Sequence, residues 1–162
     1  MSLTESLVEQ LLASGRTLAV AESLTGGALT AALVGIPGVS AVLRGGVVAY
    51  ATDLKAQLLG VDPALLEAEG PVHPEVALQM AEGVRRALGA DVGLATTGVA
   101  GPAEQNGRGV GTVCVACTAD GVARVRAYRL AGSRAAVRAS TVSLALALAQ
   151  GALTEQPGSR TR

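Results

Sequence analysis

The sequence predicts a three-layer α/β/α sandwich built on a mixed β-sheet. Segments with the apolar spacing of helices alternate with short apolar runs typical of strands, which favours parallel strands joined by helices. The Asp120-Gly121 pair between the last two strand-like runs predicts a hairpin, and therefore an antiparallel part of the same sheet. No internal repeat or linker divides the chain, so residues 1–153 are predicted to form one domain, with a flexible tail at residues 154–162.

Six helices are predicted from their apolar spacing and their end signals. Ser2 and Glu5 make a capping box for the first helix, and Pro63 fits the first turn of the fourth. Thr52 and Ser133 are predicted to cap the third and the sixth. The predicted helices cover residues 3–13, 25–34, 53–59, 63–69, 74–88 and 134–150.

Five strands are predicted between these helices. The first is apolar on both faces, as central strands covered by helices are. Gly45-Gly46 inside the second predicts a bulge or a close backbone approach. The predicted strands cover residues 17–21, 41–51, 91–97, 110–118 and 122–130.

Composition excludes several classes of protein. The 162 residues are 49% apolar and include neither Phe nor Trp, so the core is built from Ala, Val and Leu. Thirteen basic residues balance thirteen acidic ones, which does not fit a protein that binds nucleic acid or anionic lipid directly. The N-terminus carries acid where a secretory signal carries base, and the longest uncharged stretches hold Gly, Pro, Ser and Thr, which argues against a membrane span. We expect a cytoplasmic protein.

The two cysteines resemble a CxxC motif in spacing alone. Cys114 and Cys117 lie in a predicted strand, where residues three apart point to opposite faces of the sheet. Core packing is therefore expected for both, and neither a disulfide nor a shared metal ion.

The chain is organised around the stretch from Thr17 to Gly27, where a buried strand ends and a helix begins. Ser23 lies at this strand-to-helix turn, beside the free amides expected at a helix N-terminus. Free amides of this kind stabilise negative charge, so a serine at such a turn is well placed to act as a nucleophile. The alternative is that Ser23 and Thr25 only cap the helix that starts near Gly26.

A nucleophilic serine needs a base, and the composition leaves few candidates. Lys55 is the only lysine and His73 the only histidine, while the other twelve basic residues are arginine. Arginine keeps its proton near neutral pH, whereas a buried lysine can lose its own. Lys55 is therefore the candidate base, with a chance surface lysine as the alternative. His73 precedes a proline at a helix start, which favours a capping or surface role.

Several motifs occur in a characteristic order along the chain. They are Ala21-Glu-Ser-Leu-Thr-Gly-Gly27, Val39-Ser40, Gly46-Val-Val-Ala-Tyr50, Lys55-Ala-Gln-Leu-Leu-Gly-Val61, Thr97-Gly-Val-Ala-Gly-Pro102 and Val110-Gly-Thr-Val113. In this order and spacing they resemble the CinA C-terminal domain family, over about residues 8–153. Members of that family, including its stand-alone PncC type, are nicotinamide mononucleotide deamidases.

The resemblance implies the catalytic groups and their environment. The family's serine matches Ser23, its tyrosine Tyr50 and its lysine Lys55, and it uses no metal and no cofactor. A functional arginine early in the last helix is matched best by Arg138, with Arg134 as the competitor. The family also implies a homodimer or a larger homo-oligomer.

A serine–lysine amidase mechanism, which the resemblance implies, assigns further residues to substrate binding. The backbone amides of Thr25, Gly26 and Gly27 are expected to stabilise an oxyanion. The substrate phosphate is expected at Arg138 or at the amides of the second glycine-containing turn, from Thr97 through Gly98 to Ala100. That turn is expected beside the first because ligands in α/β sheets lie where strands end and helices begin. Its glycines are alternatively only the residues of a shaped turn.

The side chain of Tyr50 has three interpretations. It orients Lys55 or Ser23 by a hydrogen bond, it stacks on the pyridine ring, or it fills space beside its strand.

The sequence departs from the family pattern at two places. Leu24 stands where many relatives carry Cys, and Gly107-Arg108 where they often carry Lys-Pro, which leaves substrate contacts from that loop open. Other functions also stay open: a non-catalytic module that binds a pyridine nucleotide, a partner protein associated with competence or DNA damage, and an amidase with another substrate.

Overall fold

A computed structural model describes residues 1–155 as one five-stranded mixed sheet with helices on both faces. The strands are β1 (Leu18–Glu22), β2 (Leu43–Val48), β3 (Val92–Gly98), β4 (Thr112–Ala119) and β5 (Val122–Arg129). The helices are α1 (Leu3–Ser14), α2 (Ala28–Val34), α3 (Thr52–Leu59), α4 (Pro63–Glu69), α5 (Pro74–Ala87) and α6 (Arg134–Thr154). One 3₁₀ turn, Val39–Ala41, precedes β2.

The strand order is β2-β1-β3-β4-β5. Strand β1 lies parallel to both β2 and β3, whereas β3, β4 and β5 pair antiparallel. The predicted mixed sheet and its hairpin at Asp120-Gly121 are thus confirmed. The carboxyl ends of β1, β2 and β3 lie together at one edge, as parallel pairing requires.

Two apolar clusters fill the space between the sheet and its helices. One joins α1, α2 and α6 to the first face, through Leu7, Leu29 and Leu146, for example. The other joins α3, α4 and α5 to the second face, with Met80 and Val84 at its centre. This arrangement confirms the predicted three layers.

The two cysteines lie on opposite faces of β4, as predicted. Cys117 belongs to the first cluster and Cys114 to the second, and both are free thiols. Burial raises the pKa of Cys117 to about 12 and that of Cys114 to about 11. Both thiols are therefore inert packing groups at neutral pH.

Several predicted helix starts are confirmed by their hydrogen bonds. The capping box is formed, because the Ser2 amide donates to the Glu5 carboxylate (2.7 Å) and the Glu5 amide donates to the Ser2 hydroxyl (3.2 Å). His73 has the predicted capping role, since its Nδ1 accepts from the amide of Glu75 at 3.1 Å. Thr52, in contrast, is the first residue of α3 and caps nothing; the cap residue is Ala51.

Two other helix boundaries differ from the prediction by more than one residue. Helix α2 begins at Ala28 because Gly26 and Gly27 take left-handed φ values of 58° and 100°, which no helix continues. Helix α6 runs to Thr154 instead of Gln150, since Gln10 of α1 donates to the Gln150 carbonyl and to the Thr154 hydroxyl. Apart from this last turn, the predicted tail falls at residues 156–162, outside the described residues.

The second strand is shorter than predicted but contains the expected irregularity. The partners in β1 and β2 shift from Leu18 and Leu43 to Ala19 and Gly45, so the strand bulges at Arg44. Gly46 makes a close approach, because a Cβ there would lie 2.3 Å from the hydroxyl oxygen of Thr30. Gly46 therefore lets α2 lie directly on the edge strand, while Gly45 faces Leu88 at the end of α5.

Helix α6 is the one described helix whose length and mean hydropathy of 1.3 fit a membrane span. Its buried side chains, such as Val137, Ala145 and Ala149, pack against the sheet and α1. Its apolar character is accounted for by a layer of the α/β fold.

Helix α5 packs with its backbone unusually close to its neighbours. A Cβ on Gly83 would lie 1.8 Å from the carbonyl oxygen of Leu59, at the end of α3. A Cβ on Gly93 of β3 would lie 1.9 Å from the carbonyl oxygen of Ala81. Small residues thus set the spacing of this layer, as the composition indicated.

We expect Gly83→Ala to lower the free energy of unfolding by about 2 kcal/mol, because the added methyl meets backbone that cannot move aside. The matched control is Gly151→Ala in α6, where no atom lies within 4 Å of the added methyl. That change should raise stability by about 0.5 kcal/mol through helix propensity. Urea unfolding of both variants measures the difference, and equal stabilities would contradict the close packing.

Candidate active site

Ser23 lies where β1 ends, at the predicted strand-to-helix turn. Its amide donates to the carbonyl of Thr96 at 3.1 Å and so continues the pairing of β1 with β3 by one residue. Its side chain is 8% exposed. The strand pairing therefore fixes the backbone of Ser23, and one small opening leads to its hydroxyl.

Lys55 of α3 is the basic residue that reaches Ser23. Its side chain is 1% exposed, and its Nζ lies 3.1 Å from Ser23 Oγ. The Nζ also donates to the carbonyls of Ala49 (2.9 Å) and Tyr50 (3.4 Å), which follow the end of β2. A carbonyl only accepts hydrogen bonds. In its neutral form the amine therefore donates its two hydrogens to these two carbonyls, and its lone pair accepts a hydrogen bond from the Ser23 hydroxyl.

Burial lowers the pKa of Lys55 from its ordinary value of 10.5 to about 8, and the carboxylate of Asp53 offsets part of this effect. No carboxylate forms an ion pair with the ammonium group within residues 1–155. At this pKa about a tenth of Lys55 is neutral at pH 7 and about half at pH 8.

Glu22 is the residue that caps α2, not Ser23 or Thr25 as the alternative interpretation had it. Its buried carboxylate accepts from the amides of Leu29 and Thr30, both at 2.9 Å, and from the Thr30 hydroxyl at 2.6 Å. The hydroxyl of Ser23 is thus left free for Lys55. Sequence analysis missed this role, although one acid in an apolar strand was a signal for it.

Arg138 holds the turn that follows Ser23. Its guanidinium donates to the carbonyls of Leu24 (2.9 Å) and Thr25 (3.0 Å), and it does not line the pocket. The Thr25 side chain is buried, and its hydroxyl shares a hydrogen bond of 2.8 Å with that of Thr96. Arg138 and Thr25 are therefore placed behind the turn, away from the pocket.

The amides of the turn are not equally available. The Gly26 amide donates to the carbonyl of Ser23 at 3.0 Å. The amides of Leu24, Thr25 and Gly27 have no acceptor within residues 1–155. Of the three amides expected to bind an oxyanion, that of Gly26 is already occupied.

A pocket of about 120 Å³ opens onto Ser23 and Lys55. Its walls come from the carboxyl ends of the strands, from the segment before α5 and from the start of α6. The lining consists of Ser23, Leu24, Tyr50, Lys55, Pro71, Val72, Thr97, Gly98, Val99, Ala100, Gly101, Ala103, Gln105 and Arg134. Arg134 is the permanently cationic residue of the lining and no lining residue is acidic, so this pocket favours an anionic ligand in a protein of zero net charge.

The two glycine-containing turns meet at this pocket, but the first contributes Ser23 and Leu24 to the lining and none of the predicted Thr25, Gly26 and Gly27. Thr97, Gly98 and Ala100 all line it. The Thr97 hydroxyl donates to the carbonyl of Pro71 at 2.7 Å, so this side chain ties two pocket walls together. These residues can therefore bind a ligand mainly through backbone amides and carbonyls, because the Thr97 hydroxyl is already engaged and the other two have no polar side chain.

Tyr50 and Arg134 lie together at the mouth. The Tyr50 side chain is 59% exposed, and its hydroxyl accepts from Arg134 at 3.1 Å. Arg134 also donates to the carbonyl of Gly101. Tyr50 orients Lys55 through its backbone carbonyl, while its hydroxyl bonds neither Lys55 nor Ser23. Arg134, the competitor in the sequence analysis, is the arginine that lines the pocket.

The described residues contain no group of three or more His, Cys, Asp and Glu side chains that could hold a metal ion.

Fold and site define a class of protein: three-layer α/β domains that carry a serine facing a buried lysine at the carboxyl ends of parallel strands. Comparison with known proteins gives the family. The model of the CinA C-terminal domain family matches residues 1–153, and the chain belongs to this family. The resemblance seen in the sequence motifs is thereby confirmed.

Curated relatives share nearly half of their aligned residues with the chain. A CinA-like protein of Frankia casuarinae is 48% identical over 149 residues, which is 92% of this chain and 34% of the relative. A CinA-like protein of Mycobacterium tuberculosis is 45% identical over 157 residues, which is 96% of this chain and 36% of the relative. The chain thus spans about a third of the length of these relatives.

Solved structures of similar length share the fold. A CinA superfamily protein from Klebsiella pneumoniae superposes with a TM-score of 0.91 at 32% identity, over 95% of this chain and 97% of that one. The competence/damage inducible protein CihA from Agrobacterium tumefaciens gives 0.86 at 34% identity, over 96% and 98%. The three-layer fold is therefore that of the CinA superfamily.

We expect Glu22→Gln to lower the free energy of unfolding by about 2 kcal/mol. The amide keeps one acceptor oxygen but replaces the other by an NH₂ group, which leaves buried donors of Leu29 or Thr30 unsatisfied. The matched control is Glu9→Gln, an exposed position of α1 at which stability should stay within about 0.5 kcal/mol. Urea unfolding measures both, and an unchanged Glu22→Gln protein would exclude the capping role.

Proposed function

We propose that the chain is a nicotinamide-nucleotide amidase, which hydrolyses the carboxamide of nicotinamide mononucleotide to nicotinate mononucleotide and ammonia. The observation that carries the proposal is the contact of 3.1 Å between Lys55 Nζ and Ser23 Oγ. Membership of the CinA C-terminal domain family supports an enzyme, and the resemblance of the motifs supports this substrate.

The first step is acylation of Ser23. Neutral Lys55 takes the hydroxyl proton while Ser23 Oγ attacks the carboxamide carbon, which gives a tetrahedral intermediate. The C–N bond then breaks, the ammonium of Lys55 returns its proton to the nitrogen, and ammonia leaves. A water molecule, deprotonated by Lys55, then attacks the acyl carbon. The ester bond to Ser23 Oγ breaks, the ammonium of Lys55 returns its proton to Oγ, and nicotinate mononucleotide leaves.

The oxyanion is stabilised by backbone amides of the turn. The Leu24 amide follows the nucleophile directly, has no acceptor within residues 1–155, and belongs to a residue that lines the pocket. The amides of Thr25 and Gly27 also have no acceptor within residues 1–155, but neither residue lines the pocket, so the Leu24 amide is the main donor. Each correctly placed donor contributes about 3 kcal/mol to transition-state stabilisation in comparable enzymes.

The pocket supports binding of a nucleotide ring and phosphate. Its size is comparable to that of cavities that hold one benzene-sized ring. Arg134 at the mouth is the better placed cation for the phosphate, because Arg138 is engaged by the carbonyls of the turn. The amides of Gly98 and Ala100 are further donors, and the proposal includes stacking of the exposed Tyr50 ring on the pyridine.

The remaining expectations concern the setting of the enzyme. We propose that it works in the cytoplasm as a homodimer or a larger homo-oligomer, with no metal, no cofactor, no direct nucleic-acid contact and no membrane association. A balanced charge supports this setting.

Purified protein should release ammonia from nicotinamide mononucleotide, with or without a chelator. Ser23→Ala should reduce kcat by at least about 10³-fold, and Lys55→Met, which keeps the length but cannot accept a proton, by about 10²- to 10⁴-fold. Melting temperatures establish that each variant folds. Turnover retained by folded Ser23→Ala would eliminate the nucleophile. Nucleotide binding without any turnover by the parent would favour the binding-module alternative.

The rate should depend on pH through Lys55. The reactive form is the neutral amine, so kcat/KM should rise about tenfold per pH unit below the Lys55 pKa of about 8 and reach a plateau above it. Initial rates of ammonia release from pH 6.5 to 9.5 measure this profile, with the melting temperature checked at each pH. A rate that is flat or falls over this range would exclude Lys55 as the base.

A further inference from the structure

A small hairpin covers one side of the pocket. The Gln105 amide donates to the carbonyl of Arg108 at 3.0 Å, and the Arg108 amide donates back at 2.8 Å. Asn106 and Gly107 between them take φ values of 50° and 72°, the left-handed pair of a type I′ turn. We call residues 105–108 the strap. Its backbone is fixed by its own turn chemistry.

The strap is docked on the opposite wall of the pocket. Asn106 packs over Gly70 so closely that a Cβ on Gly70 would lie 3.1 Å from the Asn106 Cβ. Arg108 lies 3.4 Å from the carboxylate of Glu69. The next residue after Gly70, Pro71, is tied to Thr97 through its carbonyl. The strap is therefore held at a set distance from the strand ends.

Gln105 is the strap residue that lines the pocket. Its side-chain amide has no hydrogen-bond partner within residues 1–155, whereas the neighbouring Tyr50 and Arg134 bond each other. Ser23 and Lys55 lie buried at the bottom, while Gln105, Tyr50 and Arg134 are at the more exposed rim. A fixed backbone thus presents an unused amide to the outer part of any ligand whose reacting group lies at Ser23.

We propose that Gln105 determines specificity for the nucleotide by hydrogen-bonding the hydroxyls of its ribose. This inference rests on the proposed function, which places the carboxamide at Ser23 and therefore the ribose and phosphate towards the rim. The guanidinium of Arg134 suits the anionic phosphate, whereas a neutral amide suits a neutral diol. The amide supplies both a donor and an acceptor, which is what two adjacent hydroxyls require.

As a consequence, the pocket selects its ligand by the ribose as well as by the charge of the phosphate. Free nicotinamide fits the ring site but offers nothing to Gln105 or to Arg134. The strap therefore favours ribosylated pyridine carboxamides over the free base, and it does so through binding affinity, since Gln105 does not touch the reacting atoms.

The test measures binding without turnover, in a Ser23→Ala background. Affinities for nicotinamide mononucleotide and for its 2′,3′-dideoxyribose analogue are determined by titration calorimetry, with and without Gln105→Ala. The matched control is Glu104→Ala, an exposed neighbour on the same loop that does not line the pocket. Melting temperatures of all variants are compared first.

With Gln105 present, removal of the hydroxyls should weaken binding by about fivefold to tenfold, the range of one or two neutral hydrogen bonds. Gln105→Ala should weaken binding of the nucleotide by the same factor and leave the analogue unchanged, and Glu104→Ala should change neither. In the active enzyme, Gln105→Ala should raise KM about fivefold with kcat unchanged.

Equal weakening of the nucleotide and the analogue by Gln105→Ala, or no weakening of either, would overturn the proposed role of Gln105. Ammonia release by the parent tests the amidase separately. A protein that binds the nucleotide with the expected dependence on Gln105 but releases no ammonia would support the strap and refute the amidase.

Discussion

The contact between Lys55 and Ser23 is the constraint on which the rest of the site depends. A lysine that is 1% exposed and has two carbonyls and a hydroxyl as its neighbours destabilises the folded state whenever it is protonated. The lowering of its pKa to about 8 corresponds to about 3 kcal/mol. Since the unfolded chain binds this proton more tightly, the folded state gains stability as the pH rises from about 8 towards 10.5. The surrounding elements must therefore be rigid enough to keep the Lys55 amine buried, although burial destabilises its protonated form.

That rigidity comes from charged groups placed behind the turn. Glu22 neutralises the N-terminus of α2, and Arg138 holds two successive carbonyls on the other side of Ser23. The anion site of α2 is thus already occupied by a side chain of the protein. In the proposed reaction, the oxyanion is therefore stabilised by free backbone amides of the turn, above all that of Leu24, and these are separate from the helix.

Most of the fold could be predicted from local patterns, but the detailed site could not. The strands, the hairpin and the confirmed helix caps depend on neighbours within a few residues, such as Ser2 with Glu5. The predicted start of α2 was wrong because the residue that caps this helix, Glu22, lies seven residues before Leu29, outside any local capping rule. Arg134 and Arg138 are four residues apart on one helix, and packing alone decides that the first lines the pocket and the second holds the turn. The unique lysine was found because composition alone singles it out.

Helices α1 and α6, which pack together on the first face of the sheet, lie far apart in the sequence. Gln10 of α1 bonds Thr154 of α6, a partner 144 residues further on, and Arg138 reaches Leu24 across 114 residues. During synthesis α1 therefore gains its contacts with α6, and the Ser23 turn its hydrogen bonds from Arg138, only after more than a hundred further residues have been made. Contacts of such long range are formed slowly and leave apolar surface open to other chains in the meantime. In a nascent chain, the apolar face of α1 that packs on α6 stays uncovered until α6 has been made.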